Sequence, residues 1–244
     1  MKRTALASSA FCVAVLTGLT GCAGGDSDTG AAGDPKATDS PVKELSPTEH
    51  LAKLMVTAAD LGDGFSVKEF SLEKDEFAFA ESTDEITLDK VACHPLASVL
   101  NQLPLGRPKA FLTHVVSPEE STGGATYITL ATYDEGMATA AMDTLLARAV
   151  DSCSLGFTAK ANGNTDTYDS VTPEEAGTAG DESLAYKAAI TYNGVTHTVR
   201  STVVRSDDVL AVYYAEDSTA LADAKSSDAK IPAAVLTAQN AKLG

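Results

Sequence analysis

The chain has 244 residues, of which 44% are hydrophobic and 21% are charged, and it contains no tryptophan. This composition is that of a globular protein and excludes collagen-like and wholly disordered chains. The formal net charge is -16 and no basic cluster lies beyond the N-terminus, which argues against binding to nucleic acid, because such binding needs cationic side chains along the phosphate backbone.

The first 21 residues have the pattern of an export signal. Two basic residues are followed by an uncharged, apolar run over residues 4–19, which is shorter than the roughly 20 residues of a membrane-spanning helix. The run ends in the tetrad LTGC at 19–22. This tetrad resembles the lipobox of bacterial lipoproteins, in which the cysteine is acylated and becomes the first residue after cleavage.

We therefore predict a lipoprotein signal peptide over 1–21 and a lipid on Cys22. The protein would be attached to the membrane through this lipid and would lie on the outer face of the cell membrane. The alternative is an ordinary secreted protein cleaved near the same position.

An acidic, flexible linker is predicted over 22–45, including the lipidated cysteine. This segment is rich in Gly, Asp, Ala, Ser, Thr and Pro, so it cannot bury enough apolar surface to offset the entropy of ordering. Its Asp residues lack the spacing of a calcium-binding loop and are interpreted as solvated charges. The remainder, 46–244, has the size of a single domain.

The folded part begins with a strong helix signal. Ser46, Pro47 and Glu49 occupy the positions of a capping box with proline in the first turn. Apolar residues at helical spacing extend this predicted helix to Leu61. The other predicted helices are a short one between Pro95 and Pro104, a long one from Glu135 to about Asp151 capped by Asp134, and a last one near 232–242.

Strands are predicted over 65–72, 110–117, 125–133, 155–160, 166–172, 183–192, 195–205 and 208–215. Asn193-Gly194 is typical of a two-residue type I′ hairpin turn, and it sets a register in which Tyr192 lies opposite Val195 and Ile190 opposite His197. The strand over 208–215 is apolar on both faces and is predicted to be central and covered on both sides.

Helices interspersed with antiparallel hairpins, without a regular βαβ alternation, predict an α+β fold. We expect an antiparallel sheet of about five to seven strands, three to four helices packed on it, and one disulfide.

The disulfide is predicted from the cysteines that remain after export. Cys12 would leave with the signal peptide and Cys22 would be acylated, which leaves Cys93 and Cys153. In an oxidising compartment such an isolated pair is expected to form a disulfide. The pair is 60 residues apart, and the chain-entropy model assigns such a loop on the order of 4 kcal/mol of stability. A redox couple or metal-thiolate site is the alternative, but a CxxC spacing is missing.

No familiar catalytic or cofactor motif is present. GxSxG, HExxH and GxxxxGK[ST] are absent, and no GxGxxG follows a strand to open a helix. We therefore predict no enzyme, no metal and no cofactor, and leave open a hydrolase whose residues converge only in space. The candidates for contact with a ligand in a cavity between sheet and helices are His197, Tyr186 and Tyr213. A core-edge histidine satisfied by a backbone group is the alternative for His197.

The order of these motifs resembles a known family. The segment LMVTAADLGDGF at 54–65 looks like the opening of many actinobacterial surface lipoproteins. The run CHPL at 93–96, a long helix ending at Cys153 and a closing series of strands are similar to the extracellular sensor domain of PknH-type mycobacterial receptor kinases and its stand-alone lipoprotein relatives, over roughly 46–242.

The resemblance implies an α+β domain with a groove that binds a ligand outside the cell. The chain departs from the kinase pattern, because it has no kinase domain or transmembrane helix and retains one cysteine pair where the kinase sensor domain has two. We expect a membrane-anchored, non-enzymatic ligand-binding or accessory, sensor-like lipoprotein whose ligand is a small molecule, a lipid or a protein. A carrier of lipid or another amphiphile through an apolar cavity is the alternative.

Overall fold

A ten-stranded sheet organises the part of the chain that the structure, a computed structural model, describes. That part comprises residues 45–71, 79–120, 124–192 and 194–244, with the backbone alone for Thr144 and Leu145. Residues Lys43–Gly244 make up one compact unit. The predicted signal peptide, Cys22 and nearly all of the linker lie outside the described residues.

The strands are, in chain order, β1 (Phe65–Phe70), β2 (Thr87–Leu88), β3 (Ala110–Pro118), β4 (Gly124–Thr132), β5 (Phe157–Ala161), β6 (Asn164–Glu174), β7 (Glu182–Tyr192), β8 (Val195–Ser206), β9 (Val209–Asp217) and β10 (Ser227–Asp228). Their order is β1-β3-β4-β9-β8-β7-β6-β5-β2, with antiparallel neighbours throughout. β10 pairs in parallel with β8. The sheet exceeds the predicted five to seven strands because all the longer strands join it, and because the two-residue strands β2 and β10 are too short to show an alternating pattern.

The helices are α1 (Pro47–Leu54), α2 (Ala58–Leu61), α3 (His94–Leu100), α4 (Met137–Thr139), α5 (Arg148–Ser152), α6 (Ser218–Ala222) and α7 (Ala233–Leu243). π-helical turns over Ala140–Ala147 join α4 to α5, so that 137–152 is one helical segment. Among the described residues, no helix is long and apolar enough to cross a membrane. The fold is α+β, as predicted, with more helices than the expected three to four because α2 and α6 are single turns.

Helices cover the sheet on both faces. On one face, the terminal-helix cluster joins α1 and α7 to β3, β4, β8 and β9. On the other face, the disulfide-side cluster joins α3 and the 137–152 segment to six strands that are neighbours in the sheet, namely β4, β9, β8, β7, β6 and β5. Alternate side chains of β9 from Val209 on belong to the first cluster and those from Leu210 on to the second. The prediction that this strand is central and covered on both sides is confirmed.

The β7–β8 hairpin has the predicted register, with Tyr192 opposite Val195 and Ile190 opposite His197. Asn193 of the predicted turn lies outside the described residues. The register decides which side chains of the hairpin enter the disulfide-side cluster.

The capping box at the start of α1 is present, but the helix is shorter than predicted. The Glu49 N–H donates to Ser46 Oγ at 3.2 Å, and the Ser46 N–H donates to Glu49 Oε2 at 2.8 Å. The predicted helix to Leu61 was wrong, since the chain leaves the helical conformation at Met55. Gln239 of α7 forms hydrogen bonds with two backbone groups at this break. Its side chain accepts from the Val56 N–H and donates to the Leu54 carbonyl oxygen, both at 2.8 Å.

Asp60 fixes α2 to α7. The Thr57 hydroxyl and N–H donate to Asp60 Oδ2 at 2.7 and 2.8 Å, and Lys242 Nζ lies 2.9 Å from the same oxygen. These contacts lower the pKa of Asp60 to about 2, with the Thr57 hydroxyl as the largest cause and Lys242 as the next.

The long helix starts later than predicted, and Asp134 does not cap it. The N-cap is Gly136, at φ 77°, a left-handed conformation that glycine adopts without a steric penalty. The Asp134 carboxylate lies 3.0 Å from Lys109 Nζ instead. The prediction failed because a capping side chain and an ion-pair partner cannot be distinguished by residue type alone.

Candidate ligand-binding site

A disulfide joins the two helical elements that form the candidate site. Cys93 ends a 3-10 turn that leads into α3, and Cys153 is the C-cap of α5. The two cysteines form the predicted bond, with a Cα–Cα distance of 5.8 Å, and both are fully buried. The bond therefore holds the start of α3 against the end of α5.

A cavity of about 470 Å³ lies beside this bond, within the size range of small-molecule sites. It is lined by Thr83, Val91, Ala92, His94, Pro95, Ser98, Gly106, Arg148, Ala149 and Ser152. Ala92 and His94 flank one cysteine in the chain and Ser152 precedes the other. The disulfide thus fixes the distance between the two walls of the cavity.

Two polar groups of the cavity are held by neighbouring backbone. His94 Nε2 lies 3.1 Å from the Thr83 carbonyl oxygen, so this ring nitrogen donates its N–H to the carbonyl oxygen. The Ser98 hydroxyl donates to the His94 carbonyl oxygen at 3.0 Å. These contacts occupy the hydroxyl proton and the ring N–H with structural hydrogen bonds.

Arg148 is the one arginine among the lining residues, and no acidic side chain of the described residues forms an ion pair with it. Of the four arginines in the described ranges, Arg200 lies 2.9 Å from Glu174 and Arg205 lies 2.8 Å from Asp181. Arg148 and Arg107 are exposed and form no ion pair with any described residue. Arg107 directly follows Gly106 of the cavity wall.

Two unusually exposed aliphatic side chains stand near the disulfide, and one of them lines the cavity. Val91 is 82% exposed and lines the cavity, and Leu155 is 88% exposed. Each stands two residues from one cysteine of the disulfide. Lys90 Nζ also donates to the Gly156 carbonyl oxygen at 2.5 Å, which draws the neighbours of Val91 and Leu155 to the same end of the domain.

The three side chains predicted from the sequence as ligand contacts do not line this cavity. His197 is fully buried on β8, with Nδ1 3.1 Å from the Ser227 hydroxyl oxygen of β10. Its Nε2 has no hydrogen-bond partner in the described part of the chain. The histidine is thus held by a side chain of β10 rather than by the expected backbone group.

The two tyrosines lie on opposite faces of the sheet. Tyr186 belongs to the disulfide-side cluster, opposite Ser201, and neither hydroxyl has a hydrogen-bond partner within the described ranges. Tyr213 belongs to the terminal-helix cluster, where its hydroxyl donates to Asn240 Oδ1 at 2.6 Å. Burial raises the pKa of both phenols. The structure therefore does not bring the three candidates into one site.

Sequence reasoning missed Arg148, Val91 and Leu155. The sequence contains a signal for the two aliphatic residues, since Val91 lies two residues before Cys93 and Leu155 lies two residues after Cys153. In the described residues, no group of three or more His, Cys, Asp or Glu side chains is placed to hold a metal ion.

No protein-family profile matches the sequence. No curated protein matches it either. Among solved structures, the extracellular domain of PknH from Mycobacterium tuberculosis is similar, with a TM-score of 0.49 and 9% identity over 79% of this chain and 91% of that chain. A Mycobacterium smegmatis protein described as an Rv0999 ortholog is also similar, with a TM-score of 0.37 and 13% identity over 83% of this chain and 98% of that chain. The first of these is an extracellular domain of the kind that the motif order resembles.

Proposed function

We propose that this protein is an extracytoplasmic lipoprotein whose folded domain binds a ligand in the cavity beside the disulfide and catalyses no reaction. The cavity carries the proposal, because it combines a suitable volume, both polar and apolar lining side chains, and an arginine that forms no ion pair with any described residue. The disulfide supports a location outside the cytoplasm, since such bonds persist in oxidising compartments. The LTGC tetrad supports anchoring to the outer face of the cell membrane through Cys22.

The geometry of the cavity favours binding over catalysis. Hydrolysis by a serine needs a hydroxyl within hydrogen-bond reach of a base that a third group orients. The Ser98 hydroxyl donates to a backbone carbonyl oxygen, and His94 donates to another. Neither side chain therefore acts on the other, and the pair lacks the arrangement of a nucleophile with its base.

A carrier of amphiphiles is the second candidate, and the exposure of Val91 and Leu155 favours it. The cavity, however, lies between two short helices at the surface and has polar groups along its walls. This shape suits a single bound molecule better than the passage of a long hydrocarbon chain through the domain. We therefore place binding first.

Ligand binding is tested by native mass spectrometry of Lys43–Gly244, exported and purified without detergent. We expect an added mass that disappears on denaturation. Ser152→Trp would fill the cavity mouth without entering the core, because Ser152 is exposed, and it should abolish the added mass. Ser154→Trp is the matched control, since Ser154 is exposed and does not line the cavity. Equal added mass on both variants would contradict the proposed site.

Anchoring is tested in the full chain with Cys22→Ala. We expect the protein to move from the membrane fraction to the soluble exported fraction. A variant that stays in the membrane fraction would contradict lipidation at this residue.

A further inference from the structure

We infer that the ligand of this cavity is a monocarboxylate with a hydrocarbon chain, held by Arg148 at the carboxylate and by Val91 and Leu155 along the chain. The inference rests on the proposed function, because it names the ligand class of the same site. Three observations carry it: an arginine without an acidic partner among the described residues, acidic residues that adjoin the cavity wall in the chain, and two exposed aliphatic side chains near the disulfide.

The first observation concerns charge. The described arginines of β8 are neutralised by acidic neighbours, whereas Arg148 faces the cavity without an acidic partner among the described residues. A guanidinium group binds a carboxylate with two parallel hydrogen bonds. Ser152 stands four residues later and thus on the same face of the helix, where its hydroxyl can donate a further hydrogen bond. The cavity therefore offers donors and one positive charge.

The second observation limits the charge of the ligand. Asp84 follows Thr83 of the cavity wall, and Asp151 precedes Ser152. With a net charge of -16 on the whole chain, these carboxylates would repel a polyanion or an anionic membrane surface. A ligand with a single negative charge can form the charge-assisted contact with Arg148 and is repelled by these carboxylates less than a polyanion.

The third observation concerns the apolar part of the ligand. Val91 and Leu155 expose most of their side chains to water, although removing apolar surface from water is favourable. Ala92, Pro95 and Ala149 continue the apolar surface into the cavity. A hydrocarbon chain that runs outward from the carboxylate past Val91 would cover Val91 and extend towards Leu155, because Lys90 and Gly156, the chain neighbours of these two residues, are joined by a hydrogen bond. A small hydrophilic anion such as acetate would leave them exposed.

The test is calorimetric titration of Lys43–Gly244 with octanoate, acetate and octanol, below the concentration at which octanoate forms micelles. We expect octanoate to bind at least tenfold more tightly than acetate or octanol. Arg148→Gln should weaken octanoate binding about tenfold, the effect of one charge-assisted contact, and leave octanol unchanged. Lys225→Gln is the control for charge, since Lys225 is an exposed cation outside the cavity.

The contacts of the hydrocarbon chain with Val91 and Leu155 are tested in the same titration. Val91→Thr and Leu155→Asn should each weaken octanoate binding about threefold or more and leave acetate unchanged. Both residues are exposed, so neither substitution should disturb folding. Met137→Thr is the control, because Met137 is an exposed aliphatic side chain at the opposite end of the 137–152 segment.

Each contrary outcome overturns a stated part of the inference. If octanol binds as tightly as octanoate, or if Arg148→Gln has no effect, the carboxylate contact is wrong. If acetate binds as tightly as octanoate, the hydrocarbon contact is wrong. If no probe binds while Ser152→Trp removes a co-purified mass, this ligand class is wrong and the proposed function stands. If no probe binds and no mass is found, both fail.

Discussion

Replacing Gln239 should destabilise the domain by separating α7 from the break between α1 and α2. Gln239 is fully buried, and its side chain accepts from the Val56 N–H and donates to the Leu54 carbonyl oxygen, both at 2.8 Å. Gln239→Met keeps the length of the side chain and removes both hydrogen bonds. The change leaves two backbone groups without their partner in the interior.

The magnitude follows from the burial of these two groups. Val56 is fully buried, so its orphaned N–H costs about 1–3 kcal/mol, while the part-buried Leu54 carbonyl oxygen costs about 1 kcal/mol. The added apolar character of Met offsets part of this loss. We expect a net decrease of about 2–3 kcal/mol in the free energy of unfolding, a large share of the roughly 5–15 kcal/mol of a typical domain.

Urea denaturation of Lys43–Gly244 measures this difference, which should lower the midpoint by about 1 M. Thr237→Met is the control, because it places the same side chain at an exposed position of α7. Hydrogen exchange adds a local measurement, and the Val56 amide should lose protection more than amides of β9. A decrease below about 0.5 kcal/mol, or unchanged exchange at Val56, would show that the Gln239 hydrogen bonds do not stabilise this part of the domain.

Three further changes test other parts of the fold. Cys153→Ser should cost on the order of 4 kcal/mol by chemical denaturation because the 60-residue loop is no longer closed in the unfolded chain, and a loss below about 1 kcal/mol would contradict this. The pKa of Asp60 is lowered to about 2 in the folded protein, so its contribution is complete above the unfolded pKa of about 4 and is lost as the pH falls towards 2. Asp60→Asn should therefore lower the melting temperature at pH 7. Between pH of about 4 and about 2, the melting temperature of the variant should fall less steeply than that of the unchanged protein. A parallel fall in both proteins would contradict this role of Asp60. Gly156→Ala should lower the free energy of unfolding by about 3 kcal/mol or more, because φ is 76° and a β-carbon would overlap the Tyr168 carbonyl oxygen. Gly163→Ala is the control, since Gly163 has a φ of 79° with open space around it, and this change should cost about 1 kcal/mol. Similar losses in the two variants would rule out the overlap.

Several elements could be predicted because their determinants are close together in the chain. The cap of α1 depends on Ser46 and Glu49, three residues apart. The β7–β8 register follows from the hairpin connection and the period-2 alternation of its strands. β9 could be assigned to the sheet centre because a strand that is apolar on both faces must be covered on both. The cysteine pair needed no geometry, since two cysteines allow one pairing.

The candidate site, in contrast, depends on contacts between distant segments. The sequence shows Arg148 as an ordinary helix residue and Val91 as an isolated aliphatic residue, and the disulfide between residues 60 positions apart brings their two segments together. His197 was selected from its place on an apolar face, and the structure shows that β10 covers it through Ser227. Apolar periodicity identifies buried faces but does not specify what packs against them.

The α+β class, the start of α1, the pairing of the main hairpin and the disulfide are thus predictable from local patterns, because each depends on local backbone preference or on a unique pairing. Contacts between distant segments determine where the first helix breaks, which helices cover each face of the sheet and which side chains line the cavity. The Val56–Gln239 hydrogen bond shows the reason, since its partners are 183 residues apart. A local pattern predicts that a segment is helical, but a distant buried partner can stabilise the break that ends it.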